Sequence, residues 1–282
     1  MIKILLAGTP EFSVPIFEAI INCSDFEVVG IVSQPDKQAN RNYQIVETPT
    51  KTLAKKYNIK CFQPTKIKEI YDELTQLNYD YLITCAFGQI IPESVLNIAK
   101  KDNINIHGSL LPKYRGASPI QYALLNGDEY TGVSIIRMVK AMDAGNILVQ
   151  SRIDIDENET ASTLFKKFDD HIVANINNWI KQIDNKQIVE IEQNEDQVSF
   201  CKKLLKEDAL LDLENKNAQE IIQIIKAFEA NPGAYTFVDG KRLKVYLATT
   251  KFVKNTICLK CKDKEIYLLD YQFESKKRIK KY

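Results

Sequence analysis

Short apolar runs alternate with longer amphipathic stretches over the first 150 residues of the chain. The runs IKILLA (2–7), VVGIVS (28–33), DYLITCAF (80–87) and NINIH (103–107) have strand length, and GVSIIRMV (132–139) and GNILVQSRIDI (145–155) continue the series. Between them apolar positions fall at helical spacing. After Thr9 and Pro10, for example, Phe12, Ile16, Phe17 and Ile20 share one face, with Thr9 expected to cap the helix. Another helix is expected to start near Pro49, beyond a polar loop. Buried strands joined by helices are βαβ units, so the pattern predicts an α/β fold with a doubly wound, mostly parallel sheet. A long helix follows in ETASTLFKKFDDHIVANINNWIKQID, where Leu164, Phe168, Ile172, Ile176, Trp179 and Ile183 mark a single stripe.

The pattern changes near residue 200. A connector, SFCKKLLKED, leads to the amphipathic AQEIIQIIKAFEA and an NPGA turn, then to the strand-like YTFVDGKRLKVYLAT, TICLKCK and EIYLLDYQF. The Asp-Gly pair between two alternating segments predicts a tight hairpin. We therefore expect two domains, 1–200 and 201–282, the second a small antiparallel β-barrel or sheet.

Charge separates the same two regions. The whole chain carries a net +1, but residues 241–282 hold 13 Lys or Arg against 4 Asp or Glu, a net +9 that leaves −8 for the rest. A basic module beside an acidic one suggests a polyanionic partner, with a solvated tail as the plain alternative. The six cysteines are scattered, and in CLKC a strand would turn Cys258 and Cys261 to opposite faces, so neither a disulfide framework nor a metal site is expected. The first strand leads into AGTPEF, with one glycine and no G-x-G-x-x-G, which argues against a dinucleotide. No apolar run approaches the length of a membrane span, so the protein is expected to act in the cytoplasm with no membrane partner.

The candidate chemistry lies in NINIHGSLLPKYRG (103–116). The two-residue period of a strand puts Asn105 and His107 on one face, with Ile104 and Ile106 on the other. They end a strand of the parallel series, where open α/β sheets hold ligands. Asn supplies an uncharged donor for a developing oxyanion, and His exchanges protons near neutral pH. Together they suit attack on a carbonyl, although Asn-x-His by itself equally fits a core strand entering a loop. Asp143, in KAMDAG (140–145), reads alone as a turn former; beside the pair it is a candidate to orient the imidazole. His171, the only other histidine, sits among charges on the long helix without the carboxylate-and-loop context of a catalytic group. No G-x-S-x-G, P-loop or paired metal-binding histidines appear, which points to acyl transfer between two bound substrates, one of them bringing the nucleophile.

The stretches AGTPEFSVPIFEAI, SQPDK, FQPTKIKE, CAFGQIIP, NINIHGSLLPKYRGASPIQYALLNGDEYTGVSIIRM and MDAGNIL resemble the 10-formyltetrahydrofolate-dependent formyltransferases. The resemblance continues past residue 200 in AFEANPGAYTF, similar to the branch of that family that formylates methionyl-tRNA. The branch acting on sugar nucleotides is the alternative, and a non-catalytic folate-binding module a third. The resemblance implies a Rossmann-like catalytic domain and a C-terminal OB-like tRNA-binding domain. Asn105, His107 and Asp143 match the catalytic positions. The formyl donor, 10-formyltetrahydrofolate, would lie against Phe87, Gly88, Gln89, Ile90 and Ile91, the signature-loop residues Ser109, Leu110, Leu111 and Pro112, and Met142. Charged initiator tRNA would meet Arg41 and the terminal lysines Lys276, Lys277, Lys280 and Lys281. Members of that branch often read A-G-R-G with basic residues after it, where this chain has ANRNYQI. A monomer without metal is expected.

Overall fold

The computed structural model describes residues 1–38, 45–229 and 232–281, and the chain divides into two compact units. The first comprises residues 1–115, 132–152 and 168–199; the second comprises 116–131, 153–167 and 200–282.

The first unit is organised by β1 (Ile2–Gly8), β2 (Phe26–Val32), β3 (Cys61–Phe62), β4 (Tyr81–Cys85), β5 (Asp102–His107), β6 (Tyr130–Arg137) and β7 (Ile147–Asp154). They form one sheet in the order β7-β6-β5-β4-β1-β2-β3. From β3 to β5 every pairing is parallel, and β5 then pairs antiparallel with β6. The parallel strands are apolar on both faces because helices cover both sides: Ile4, Leu5, Leu6 and Ala7 of β1 are all fully buried. Helices α1 (Ser13–Ile21), α2 (Pro49–Lys56), α3 (Tyr71–Gln76) and α4 (Glu93–Leu96) connect these strands. Pro49 opens α2, where its fixed φ and missing N–H suit the first turn.

Thr9 does not cap α1. Its hydroxyl donates to the Phe87 carbonyl at 3.1 Å and accepts from the Gln34 N–H at 3.3 Å, so it ties together the loops that leave β1, β2 and β4. The turn into α1 closes instead through backbone bonds from Ser13 to Pro10 and from Val14 to Glu11. Beyond β2, Lys37 and Gln38 pair antiparallel with Val46 and Ile45, and Arg41 lies between them, outside the described residues.

In the second unit, α5 (Pro119–Leu125) and α7 (Ala218–Phe228) accompany the strands β8 (Ala234–Val238), β9 (Lys241–Thr249), β10 (Cys258–Lys260), β11 (Glu265–Phe273) and β12 (Ile279–Lys280). The long helix α6 is Ala161–Asp184, and Leu164, Phe168, Ile172 and Ile176 of its stripe are fully buried. A capping box starts α7: the Asn217 side chain accepts from the Glu220 N–H, and the Glu220 carboxylate accepts from the Asn217 N–H, each at 2.9 Å. The hairpin β8–β9 turns at Asp239 and Gly240, with φ of 49° and 73°, as an Asp-Gly turn requires. In place of a closed barrel the pairing runs β8-β9-β11-β10, with β12 added to β11, an open antiparallel sheet among the described residues. Cys258 is exposed and Cys261 buried.

Candidate active site

The parallel part of the sheet stops at β5, and Asn105 and His107 lie at the carboxyl end of that last parallel strand. Ile104 and Ile106 are buried in the core, so the strand's alternation turns Asn105 and His107 to the other face. Thr84 is the neighbour of Asn105 on β4 and shares that face. Its hydroxyl donates to Asn105 Oδ1 at 2.7 Å. The carboxamide is thereby oriented, with Nδ2 as the donor into the site.

Asp143 meets both residues with one oxygen each. Asn105 Nδ2 donates to Asp143 Oδ1 at 3.3 Å, and His107 Nδ1 lies 3.7 Å from Asp143 Oδ2. The buried imidazole is anchored from its far side, where Nε2 stands 2.9 Å from the Tyr114 carbonyl. A carbonyl only accepts, so Nε2 carries a proton, and Nδ1 is the nitrogen turned to the carboxylate. The result is a polar triad: an amide donor, an imidazole whose Nδ1 edge can take up a proton, and a carboxylate facing that edge.

Asp143 adopts a left-handed φ of 54°, a conformation that Asp tolerates. Gly145, two residues on, backs against the Arg137 carbonyl, where a Cβ would come within 1.8 Å. Arg137 in turn forks onto the Asp102 carboxylate at the start of β5, with contacts of 2.7 to 3.1 Å that raise the guanidinium's proton affinity. Cys85, at the end of β4, is fully buried, and burial pushes its thiol up to about 12, so it is no thiolate nucleophile. His171 is elsewhere in the first unit: its Nε2 is 2.7 Å from Ser151 Oγ, and its ring packs beside Trp179.

Residues 2–177 match the family model described as formyl transferase, and residues 203–281 match formyl transferase, C-terminal domain. The chain belongs to the formyl transferase family. A relative named methionyl-tRNA formyltransferase from Mycoplasmopsis pulmonis (strain UAB CTIP) is 51% identical over 278 residues, covering 99% of this chain and 96% of that protein. One of the same name from Mycoplasma mycoides subsp. mycoides SC is 40% identical over 296 residues, covering 99% and 92%. Among solved structures, the methionyl-tRNA formyltransferase from Clostridium thermocellum aligns with a TM-score of 0.65 at 17% identity, over 97% of this chain and 99% of that one. A sugar 3N-formyl transferase, WlaRD, crystallised in the presence of dTDP and 5-N-formyl-THF, aligns at 0.70 and 22%, over 98% and 99%. At those identities the likeness is one of fold.

Within this formyl transferase chain the candidate folate residues divide by exposure. Phe87 and Ile91 are buried in the core cluster that includes Leu5, Val32 and Leu82. Leu111 packs with Ile136 and Ile147. The Gln89 side chain bonds the Ile67 N–H and the Pro64 carbonyl, and Gly88 has a φ of 74° with the Gln34 amide close against it. Ser109 is buried, its hydroxyl donating to the Lys113 carbonyl at 2.5 Å while the Ser134 hydroxyl donates to the Ser109 carbonyl at 2.7 Å. Leu110 packs against Gly132, and the Pro112 carbonyl accepts from the Ser199 N–H at 3.3 Å. By contrast Ile90 and Met142 are 92% and 67% exposed, two large apolar side chains left in water. Thr84, Tyr114 and Gln193 are the neighbours of this candidate site that the sequence alone did not reveal. Only Thr84 had a signal, a polar position inside an apolar strand beside NINIH.

Among the described residues no group of His, Cys, Asp and Glu is arranged to hold a metal, and no helix is long and apolar enough to cross a membrane. In the second unit Lys276, Lys277, Lys280 and Lys281 are all exposed. Lys280 pairs across from Asp270 on β11 and brings its Nζ to 4.0 Å from that carboxylate, which Arg278 holds at 2.6 and 2.8 Å.

Proposed function

We propose that the protein transfers the formyl group of 10-formyltetrahydrofolate to the α-amino group of methionyl-initiator tRNA. One observation carries the chemistry: a single carboxylate, Asp143, bridges Asn105 and His107 at the end of the parallel strands, in a chain 51% identical over nearly its whole length to a protein of that name. The formyl carbonyl lies against Asn105 Nδ2 and the Nδ1 edge of His107. The amine attacks the formyl carbon, a C–N bond forms, and the oxygen takes up negative charge that the amide and the imidazole stabilise. Collapse breaks the bond to the folate nitrogen. The proton lost by the amine passes through the His107–Asp143 pair and ends on that nitrogen, so the protein leaves the reaction unchanged.

The folate donor rests beside exposed Ile90 and Met142, with the buried Phe87, Ile91 and Leu111 stiffening the walls from behind. Residues 1–200 serve catalysis, and 201–282, with the loop carrying Arg41, serve the nucleic acid. The protein works in the cytoplasm as a monomer. Labelled 10-formyltetrahydrofolate offered with either charged initiator tRNA or amino-sugar nucleotides tests the acceptor: label is expected in methionyl-tRNA, and label in the sugar alone would overturn the reading.

A further inference from the structure

The turn that carries Asp143 is held by a residue fifty positions away. Gln193 is buried, and its Nε2 donates to two carbonyl oxygens, Asp143 O at 2.7 Å and Gly145 O at 2.8 Å. The amide is oriented from behind, because its Oε1 accepts from Arg115 Nε at 3.0 Å. The Arg115 guanidinium, itself buried, is completed by Glu195, with contacts of 2.7 and 3.3 Å. The same segment reaches the anchor of His107. Ser199 accepts from the Tyr114 N–H through its hydroxyl and from the Arg115 N–H through its carbonyl, both at 2.9 Å, and the Tyr114 carbonyl holds His107 Nε2.

We infer that Gln193 is a positioning residue for the formyl transfer, holding the Asp143 turn against Asn105 and His107; this rests on the catalytic reading of Asp143 given above. Asp143 sits in a left-handed conformation that Asp tolerates without being fixed in it, so an outside hold helps to set the turn. Two carbonyls gathered by one amide supply it. Without that amide both carbonyls lose the donor that gathers them, and the turn is free to shift. The contacts of 3.3 and 3.7 Å that join Asp143 to Asn105 and His107 then change, and such misplacement lowers rate rather than affinity.

The test is Gln193→Met, which keeps the length of the side chain and removes both donors. With rates counted per folate-binding site, kcat is expected to fall on the order of 10- to 100-fold while KM for each substrate stays within about threefold. In an Asp143→Asn background the same change should add nothing, since both act through one carboxylate. A wild-type kcat in Gln193→Met, a loss confined to KM, or penalties that multiply in the double variant would each overturn the inference and leave the catalytic reading standing. Full activity in Asp143→Asn alone would overturn that reading instead. Should Gln193→Met fail to fold, Arg115→Lys withdraws Nε from behind the amide, keeps a cation for Glu195, and is judged by the same split and the same cycle.

Discussion

At the scale of single residues, the site is a small set of groups each held by a neighbour. His107→Ala and Asp143→Asn should leave the fold nearly intact and remove most turnover, because neither side chain belongs to the apolar core. Asn105→Ala should cost on the order of 10²–10³ in kcat as the loss of an oxyanion donor. Single-turnover assays with folate binding measured alongside check all three, and near-normal turnover in the His107 variant would sink the mechanism. Thr84→Val gives a subtler case: it keeps the shape of a buried side chain and removes only the hydroxyl that orients the Asn105 amide. A lost neutral hydrogen bond of about 1 kcal/mol predicts a fall of several-fold in kcat with folate affinity unchanged. An unchanged rate would mean that the amide keeps its orientation without Thr84.

At the scale of elements, the turn between β6 and β7 and the start of α7 make opposite predictions. Gly145→Ala drives a Cβ into the Arg137 carbonyl, and neither partner is the free end of a side chain. The turn must move, taking Asp143 with it, so turnover should collapse by far more than melting temperature suggests. Asn217→Ala removes the amide-carbonyl acceptor of the α7 capping box and is expected to destabilise the protein by about 1 kcal/mol, within a range of roughly 0.5–2. Urea denaturation reads that loss. Formyl transfer by the folded fraction should be unchanged, because the cap and the triad lie in different units.

At the scale of the whole molecule, the uneven charge makes a prediction about salt. Phosphate contacts release counterions, so tRNA affinity should fall by roughly 0.7–0.9 log units per log unit of salt for each contact. Replacing Lys276, Lys277, Lys280 and Lys281 by Gln should flatten that slope and weaken initiator and other tRNAs alike, since such contacts carry no sequence information. Lys280 should contribute least, because Asp270 already lies near it. Identical slopes for the two proteins would show that the basic end does not touch the nucleic acid.

Much of this was legible in the chain because it is written in local period and local turn chemistry. Continuous apolar runs announced the parallel strands, the stripe from Leu164 to Ile183 announced α6, Asp239-Gly240 announced its hairpin, and the alternation of NINIH put Asn105 and His107 on one face. Tertiary structure decided the rest, since it depends on segments far apart meeting at a few tenths of an ångström. No spacing records that Asp143 comes to Asn105 across 38 positions, or that Gln193 reaches back across 50 to hold it. Thr9 was drawn from a helix cap to the Phe87 carbonyl 78 residues on, and Phe87 itself turned into the core. A polar side chain takes the strongest partner that packing delivers, and packing is a property of the whole fold.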